Sequence, residues 1–205
     1  MVDVFCHIPL HSKFALLALF ILANAVCVNE EQQMPAPLIW LGASAIAILA
    51  STKYSNDKRL EQSVNSLPGR SDRQVKPVNG AIVTCGIYGL FEHTGIWVDG
   101  NILELKGNGL IRGISPNRFL QDRSGDNIYI ACGNDNRPLI QPDAAERAIS
   151  RLFSYSEYDL IKNNCHKFVW YCISGEDVPL TRFSLLNQKI AERFSTSIHW
   201  HPVSY

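Results

Sequence analysis

The sequence lacks the features that most directly assign a protein to a functional class. Its 19 basic and 19 acidic residues cancel, and no basic stripe is interleaved with aromatic residues. Nothing in its charge therefore predicts a nucleic-acid partner. It contains no internal repeat and no low-complexity tract, which leaves no sign of a solenoid or of a compositionally biased tail. Its 205 residues leave room for one globular domain and an appendage.

Paired cysteines and metal-ligand clusters are also missing. None of the six cysteines is spaced C-x-x-C with another, which argues against a zinc ribbon and against a thioredoxin-like redox motif. Scattered cysteines fit a reducing compartment at least as well as a disulfide framework. The sequence predicts neither a metal nor a cofactor, and it does not determine an oligomeric state.

The first 52 residues contain two runs without a charged side chain, over 14–28 and 36–52. At 1.5 Å rise per residue they give about 22 and 25 Å of helix, somewhat short of the ~20 residues that span a bilayer. Acidic residues lie between the runs, and basic residues flank them outside, at Lys13 and Lys53. Residues 1–52 therefore predict a transmembrane helical hairpin, and the positive-inside rule places the rest of the chain in the cytoplasm, attached to the membrane.

Three other interpretations of this segment stay open. Residues 1–25 also resemble a signal peptide, with Lys13 in its charged region and Ala23-Asn24-Ala25 as its cleavage site. The two runs could instead form a buried hairpin of a soluble protein, or lie in the membrane interface without spanning it. Residues 53–76 are polar and contain the Pro68-Gly69 break, so they predict a linker, either solvated or lying along anionic headgroups.

Residues 77–205 predict one globular domain of the α+β class. Short β-branched runs come first, over 78–90, 93–98, 102–105 and 127–132, and Asp99-Gly100 between two of them predicts a β-hairpin. GNGLIRG at 107–113 is predicted as a loop. Helical spacing follows, from Pro142 to Phe153, from 164 or 165 onward, and over 181–194. Strands followed by helices are typical of an α+β domain.

The stretch NNCHKFVWYC, residues 163–172, predicts an amphipathic helix that begins at its first cysteine. Apolar side chains recur at i, i+3, i+4 and i+7 from Cys165, Asn163 and Asn164 are favoured N-cap residues, and Gly175 is a natural stop. The positive end of the helix dipole lowers the pKa of a thiol there below ~8.5, and free first-turn amides can hold an oxyanion. The alternative is a small buried residue, the interpretation we favour for Cys172.

A nucleophilic cysteine needs a nearby base, and His93 is the best candidate among the six histidines. His166 adjoins Cys165, but neighbouring helical side chains diverge by ~100°, so its ring is expected to point elsewhere. His199 and His201 are assigned to a terminal tail. The alternative for His93 is a surface histidine on a half-exposed strand.

A carboxylate that could orient His93 follows on the second strand of the hairpin. If the loop is Asp99-Gly100, Glu104 lies opposite Gly95 and is a diagonal neighbour of His93. The other two-residue loop also keeps Glu104 on that face, whereas a three-residue loop would turn it away. Glu104 can then hold the imidazole in one tautomer, as the third member of a triad does. The alternative is a solubilising charge on an edge strand.

Two segments, EHTGIWVDGNILEL and YDLIKNNCHKFVWYCISG, resemble the lecithin:retinol acyltransferase-like family, within the NlpC-type, circularly permuted papain-like group. The resemblance covers about residues 77–175. The chain departs from it twice. The family often has Asn-Cys-Glu-His-Phe where this chain has Asn164-Cys165-His166-Lys167-Phe168, and its third polar residue is commonly His rather than Glu104.

The resemblance implies a circularly permuted papain-like domain, an antiparallel sheet with packed helices. It also implies a membrane-tethered thiol acyltransferase or hydrolase that acts on a lipid-type acyl ester, thioester or amide through Cys165, His93 and Glu104. Asn164, His166 and Trp97 are secondary candidates. Two alternatives remain, a cell-wall peptidase of the NlpC type, which requires the signal-peptide topology, and an inert binding module of the same fold.

Overall fold

A computed structural model of the chain describes residues 55, 57–87, 91–121, 123, 125–157, 159 and 163–204. These residues form an α+β domain around a seven-stranded mixed sheet, which confirms the predicted class. The predicted membrane hairpin lies outside the described residues. Within the part of the chain that is described, no helix has the length and apolar character needed to cross a membrane.

The elements follow the predicted order, with strands mostly before helices. A helical segment over 57–63 precedes the first strand. The seven strands are β1 (Val64–Ser66), β2 (Ile82–Ile87), β3 (Phe91–Val98), β4 (Asn101–Leu105), β5 (Ile111–Ile114), β6 (Tyr129–Cys132) and β7 (Ile198–Pro202). The four helices that follow β1 are α1 (Pro116–Leu120), α2 (Ala144–Ser150), α3 (Cys165–Ser174) and α4 (Phe183–Phe194).

The sheet order is β1-β7-β6-β2-β3-β4-β5. Every neighbouring pair is antiparallel except β1 and β7, which run parallel. The predicted antiparallel sheet therefore holds for six strands, and the parallel edge strand was not expected. It comes from the stretch 53–76, which was predicted as a linker. Val64 in this stretch is buried and lies opposite Ile198, so part of the stretch belongs to the sheet.

The β3–β4 hairpin has the first of the two registers considered. Val98 pairs with Asn101, and Ile96 pairs with Leu103. The loop is Asp99-Gly100, with φ of 47° and 76°. Two consecutive positive φ values are those of a type I′ turn, whose twist matches that of the flanking strands. The Asp-Gly hairpin is thus confirmed, together with the face on which Glu104 lies.

The two faces of the sheet bury separate cores. On one face the aliphatic side chains of β3 and β4 pack in one cluster with those of α3 and α4, among them Ile96, Leu103, Phe168 and Leu186. On the other face a smaller cluster gathers around Phe119 of α1. Trp97, a secondary candidate for the site, is 7% exposed and belongs to this second cluster, where it packs as a core residue.

The close approach of β3 and β4 makes Gly95 a stability-determining position. A Cβ there would lie 2.5 Å from Ile102 Cγ2 and 2.9 Å from the Leu103 carbonyl oxygen. Because the carbonyl belongs to the ladder, it cannot move aside. We expect Gly95→Ala to lower the free energy of unfolding by about 1–3 kcal/mol. Gly107→Ala is the matched control, since nothing lies within 4 Å of the Cβ that alanine would add there. Urea unfolding of both variants tests this, and equal stabilities would contradict it.

Three local predictions were wrong because tertiary pairing overrides them. Residues 107–113 are not all loop, because β5 begins at Ile111 and pairs with β4. The helix after Pro142 ends at Ser150, because Phe153 turns away with φ of 61° and donates its amide hydrogen to the Ile111 carbonyl. The C-terminal residues are not a tail. They form β7, which pairs with β6 and buries Trp200 completely.

Candidate active site

The helix that carries Cys165 begins where the sequence predicted. Asn164 is the N-cap, with extended backbone angles, and its Oδ1 accepts hydrogen bonds from the amides of His166 and Lys167 at 3.0 and 3.1 Å. Gly175 closes the helix in the left-handed conformation, with φ of 79°. Cys165 therefore occupies the first turn, where it is 5% exposed.

The cap changes the expected source of oxyanion stabilisation. The amides of His166 and Lys167 are bonded to the Asn164 side chain, and the amide of Phe168 donates to the Asn164 carbonyl. These three first-turn amides are therefore not free to hold an oxyanion, contrary to the sequence-based expectation. Within this turn, the backbone amide of Cys165 is the donor that the cap does not take. The helix dipole still favours negative charge at this end.

His93 and Glu104 form a buried pair on the β3–β4 hairpin. The Nε2 of His93 lies 2.7 Å from Oε2 of Glu104, and the two residues are 5% and 0% exposed. The imidazole also packs against the ring of Phe119, with centroids 5.3 Å apart. Neither alternative interpretation fits these positions: His93 is not on the surface, and β4 is not an edge strand because it lies between β3 and β5.

Two arginines that the sequence reading missed anchor Glu104. Arg112 on β5 donates twice to Oε1, from Nε at 2.9 Å and from Nη2 at 2.7 Å, and Arg123 donates to Oε2 at 2.9 Å. Burial opposes ionisation of Glu104, but the hydrogen bond and charge of His93 and the contact with Arg123 outweigh it. Together they lower the pKa of this carboxyl from 4.5 to about 2. Glu104 is therefore ionised throughout the neutral range.

The pair reaches the thiol through His93. The imidazole lies close enough to the Cys165 thiol for each group to shift the pKa of the other. Burial disfavours the imidazolium, but Cys165 and Glu104 outweigh that effect and raise the pKa of His93 to about 8. Since Nε2 is bonded to Glu104, Nδ1 is the nitrogen left for the sulfur. The structure thus brings the three predicted residues Cys165, His93 and Glu104 together.

His166 also contacts the thiol, contrary to the sequence-based expectation that its ring points elsewhere. Its Nδ1 lies 3.8 Å from the sulfur of Cys165 and 3.1 Å from Oγ1 of Thr94. The ~100° divergence of neighbouring helical side chains describes their Cα–Cβ directions. The ring of His166 extends beyond its Cβ and reaches the sulfur of the preceding residue. Burial of Cys165 raises the pKa of its thiol, but the imidazoles of His166 and His93 outweigh burial and bring this pKa well below its ordinary value.

The other cysteines that the structure describes are shifted in the opposite direction. Burial raises the pKa of Cys172 to about 12, and that of Cys132 to about 12. Cys85 lies opposite His93 in the sheet, and burial raises its pKa to about 11. Among the described cysteines, Cys165 is thus the one whose thiol pKa is lowered, and Cys172 is a core residue as expected.

A shallow cavity of about 140 Å³ lies beside the start of α3. Its apolar part is formed by Leu105, Ile111 and Phe168. The other lining side chains are polar or charged: Arg151, Ser154, Tyr155, Ser156, Asn163, Lys167, Tyr171 and Asp177. Cys165 is not among its lining residues, but Phe168 lies one helical turn away. The described residues include no group of three or more His, Cys, Asp or Glu side chains that could hold a metal ion.

Of the two arginines, only the contact of Arg112 with Glu104 could have been predicted from the sequence. Arg112 lies directly opposite Glu104 across the β4–β5 ladder, so recognising residues 111–114 as a strand would have exposed the pair. Arg123 follows α1, and its Nη1 donates to the Phe119 carbonyl oxygen. No local pattern places it near Glu104, because the contact depends on how α1 packs on the sheet.

Compared with known protein families, curated proteins and solved structures, this chain matches none of them. A functional assignment therefore rests on the geometry of the site.

Proposed function

We propose that this protein is a cysteine acyltransferase or hydrolase in which Cys165 is the nucleophile, His93 the general base and acid, and Glu104 the residue that orients His93. One observation carries the proposal: a thiol at a helix N-terminus lies beside a buried His–Glu pair, whose imidazole lowers the pKa of the thiol. A thiol is activated when a base lies beside it and a carboxylate orients that base. Cys165, His93 and Glu104 have this arrangement.

The chemistry follows from the tautomer that Glu104 imposes. The ionised carboxylate accepts the Nε2 hydrogen of His93, so the Nδ1 lone pair can take the thiol proton. The thiolate attacks a carbonyl carbon, and a tetrahedral oxyanion forms near the Cys165 amide and the helix N-terminus. The bond to the leaving group then breaks as the imidazolium returns its proton to that group. A thioester on Cys165 remains, and the lost group departs protonated.

The second half of the reaction releases the acyl group. Water, an alcohol or an amine gives its proton to His93 as it attacks the thioester, and the Cys165 thiolate leaves. Water completes hydrolysis, and the other acceptors complete transfer. The same imidazole acts as base in both attacks and as acid when the first leaving group departs, which requires it to change protonation state readily. A His93 pKa of about 8 is suited to that requirement.

A lipid-type acyl substrate is part of this proposal and rests on the resemblance. The cavity beside α3 offers a small apolar wall of Leu105, Ile111 and Phe168 within an otherwise largely polar lining. The proposal includes the resemblance to the lecithin:retinol acyltransferase-like group and its permuted papain-like fold. It also includes attachment to a membrane through residues 14–52, with the site in the cytoplasm. The inert-module alternative is disfavoured because that function would need no imidazole beside the thiol.

Acyl trapping tests the proposal directly. The full chain is incubated with a p-nitrophenyl acyl ester, an acyl thioester or phospholipid vesicles, quenched in acid and mapped by peptide mass. We expect an acyl mass on Cys165 that neutral hydroxylamine removes, because hydroxylamine cleaves thioesters. The Cys172→Ser variant should keep this label. Label confined to other cysteines, or no acyl mass with any of the donors, would contradict the proposal.

A further inference from the structure

The Cys165 thiol has two imidazoles beside it, and the proposed mechanism uses only one. His166 is 7% exposed, and its Nδ1 lies 3.8 Å from the sulfur. Burying an imidazole is costly unless its nitrogens have partners, and Nδ1 of His166 has two neighbours that can serve, the Thr94 hydroxyl and the Cys165 sulfur. The second imidazole therefore needs an explanation of its own.

The surroundings of His166 hold its ring in place from two elements. From β3, the hydroxyl of Thr94 lies 3.1 Å from Nδ1, and the carboxyl of Glu92 interacts by charge with both His166 and Cys165. From α4, the ring of Phe183 packs against the imidazole with centroids 5.9 Å apart. A positive charge on His166 would thus face one carboxylate and one thiolate.

We propose that His166 is a second proton acceptor for the Cys165 thiol, acting beside His93. In this step the S–H bond of Cys165 breaks and an N–H bond forms at Nδ1 of His166, which leaves a thiolate and an imidazolium in contact. The proton is conserved within the pair, and no other reactant is needed. The proposal rests on the proposed function only in taking Cys165 as the reactive group.

A second acceptor changes what His93 must do. When the thiol proton resides on His166, His93 does not have to receive it, and above its pKa of about 8 it can take the proton of the attacking acceptor. The thiol and its second proton acceptor are consecutive residues at the start of α3, so the position of one fixes the position of the other. The proposal predicts that Cys165 remains more acidic than an ordinary cysteine when His93 is replaced.

Thiol alkylation measures this without any acyl substrate. The full chain is treated with iodoacetamide from pH 4 to pH 10, and the rate is followed by the mass of the peptide that contains Cys165. We compare wild type with His166→Asn, His93→Asn and the double variant. His199→Asn is the matched control, because His199 lies on β7 and bonds to asparagine side chains.

Each single variant should move the midpoint of the alkylation profile to higher pH. The double variant should move it further, toward the ~8.5 of an ordinary cysteine. Below both midpoints the rate falls about tenfold for each pH unit that the midpoint moves, because only the thiolate reacts. The His199→Asn profile should coincide with wild type.

Two results would overturn the inference. One is a His166→Asn profile that superimposes on wild type. The other is a His93→Asn midpoint already at the ordinary cysteine value, and this second variant decides the matter even if His166→Asn fails to fold. Absence of acyl trapping together with shifted alkylation profiles would count against the proposed function alone. Normal acyl trapping together with an unshifted His166→Asn profile would count against the role of His166 alone.

Discussion

Replacing Cys165 by alanine is expected to lower the rate of acyl turnover by about 10⁴-fold or more, to the level of the uncatalysed reaction with bound substrate. In the proposed mechanism the thiolate forms the covalent intermediate, and alanine offers no nucleophile in its place. Cys85, which lies opposite His93 in the sheet, has a pKa of about 11 and is therefore protonated. Release of acyl product from the best donor found by trapping measures this effect.

Cys172→Ala is the matched control for this variant. Cys172 lies on the same face of the same helix and is completely buried, so both substitutions remove one sulfur from one packed surface. We expect the Cys172 variant to lose about 1 kcal/mol of unfolding free energy through the small cavity and to keep its turnover. If Cys165→Ala retained turnover within tenfold of wild type, Cys165 would not be the nucleophile.

Replacing Glu104 by glutamine is expected to reduce turnover by about 10³–10⁴-fold, by analogy with the orienting carboxylate of serine hydrolases. The amide would present hydrogens to Nε2 of His93, where the carboxylate now accepts one at 2.7 Å. The imidazole would then place its hydrogen on Nδ1, the nitrogen that must accept the thiol proton. The loss should appear in kcat, because the ring keeps its place but has the wrong tautomer.

The same substitution should also reduce stability, because Arg112 and Arg123 keep their charges. Breaking a fully buried ion pair costs about 3–5 kcal/mol. The arginine side chains are 21% and 14% exposed, so we expect a smaller cost, on the order of 2 kcal/mol. Turnover must therefore be measured well below the melting temperature. Glu146→Gln, an exposed carboxyl on α2, is the control. Equal kcat values for the two variants would exclude an orienting role for Glu104.

The features that the sequence predicted correctly depend on few neighbouring residues. A type I′ turn needs two adjacent residues that tolerate positive φ, and Asp99-Gly100 provides them. A helix start needs one capping side chain, which Asn164 supplies. The hairpin register then follows from the loop length, so the pairing of His93 with Glu104 could be predicted without knowledge of the rest of the fold.

The features that the sequence did not predict depend on contacts between distant segments. β1 is three residues long and polar at its centre, and it is a strand only because β7 lies beside it. His199 and His201 belong to the sheet for the same reason. The early end of α2 likewise results from the hydrogen bond between Phe153 and Ile111 rather than from any stop signal.

At the site, the sequence by itself determined the identity of the three residues of the proposed triad and the position of the thiol at a helix start, because local turn and cap geometry orients each of them. The tertiary structure decided the ionisation of the site. His93 and Arg123 lower the pKa of Glu104, and His166 and His93 lower that of Cys165; these electrostatic effects depend on distance and burial. Neither quantity exists until the strands, α1 and α3 have packed together.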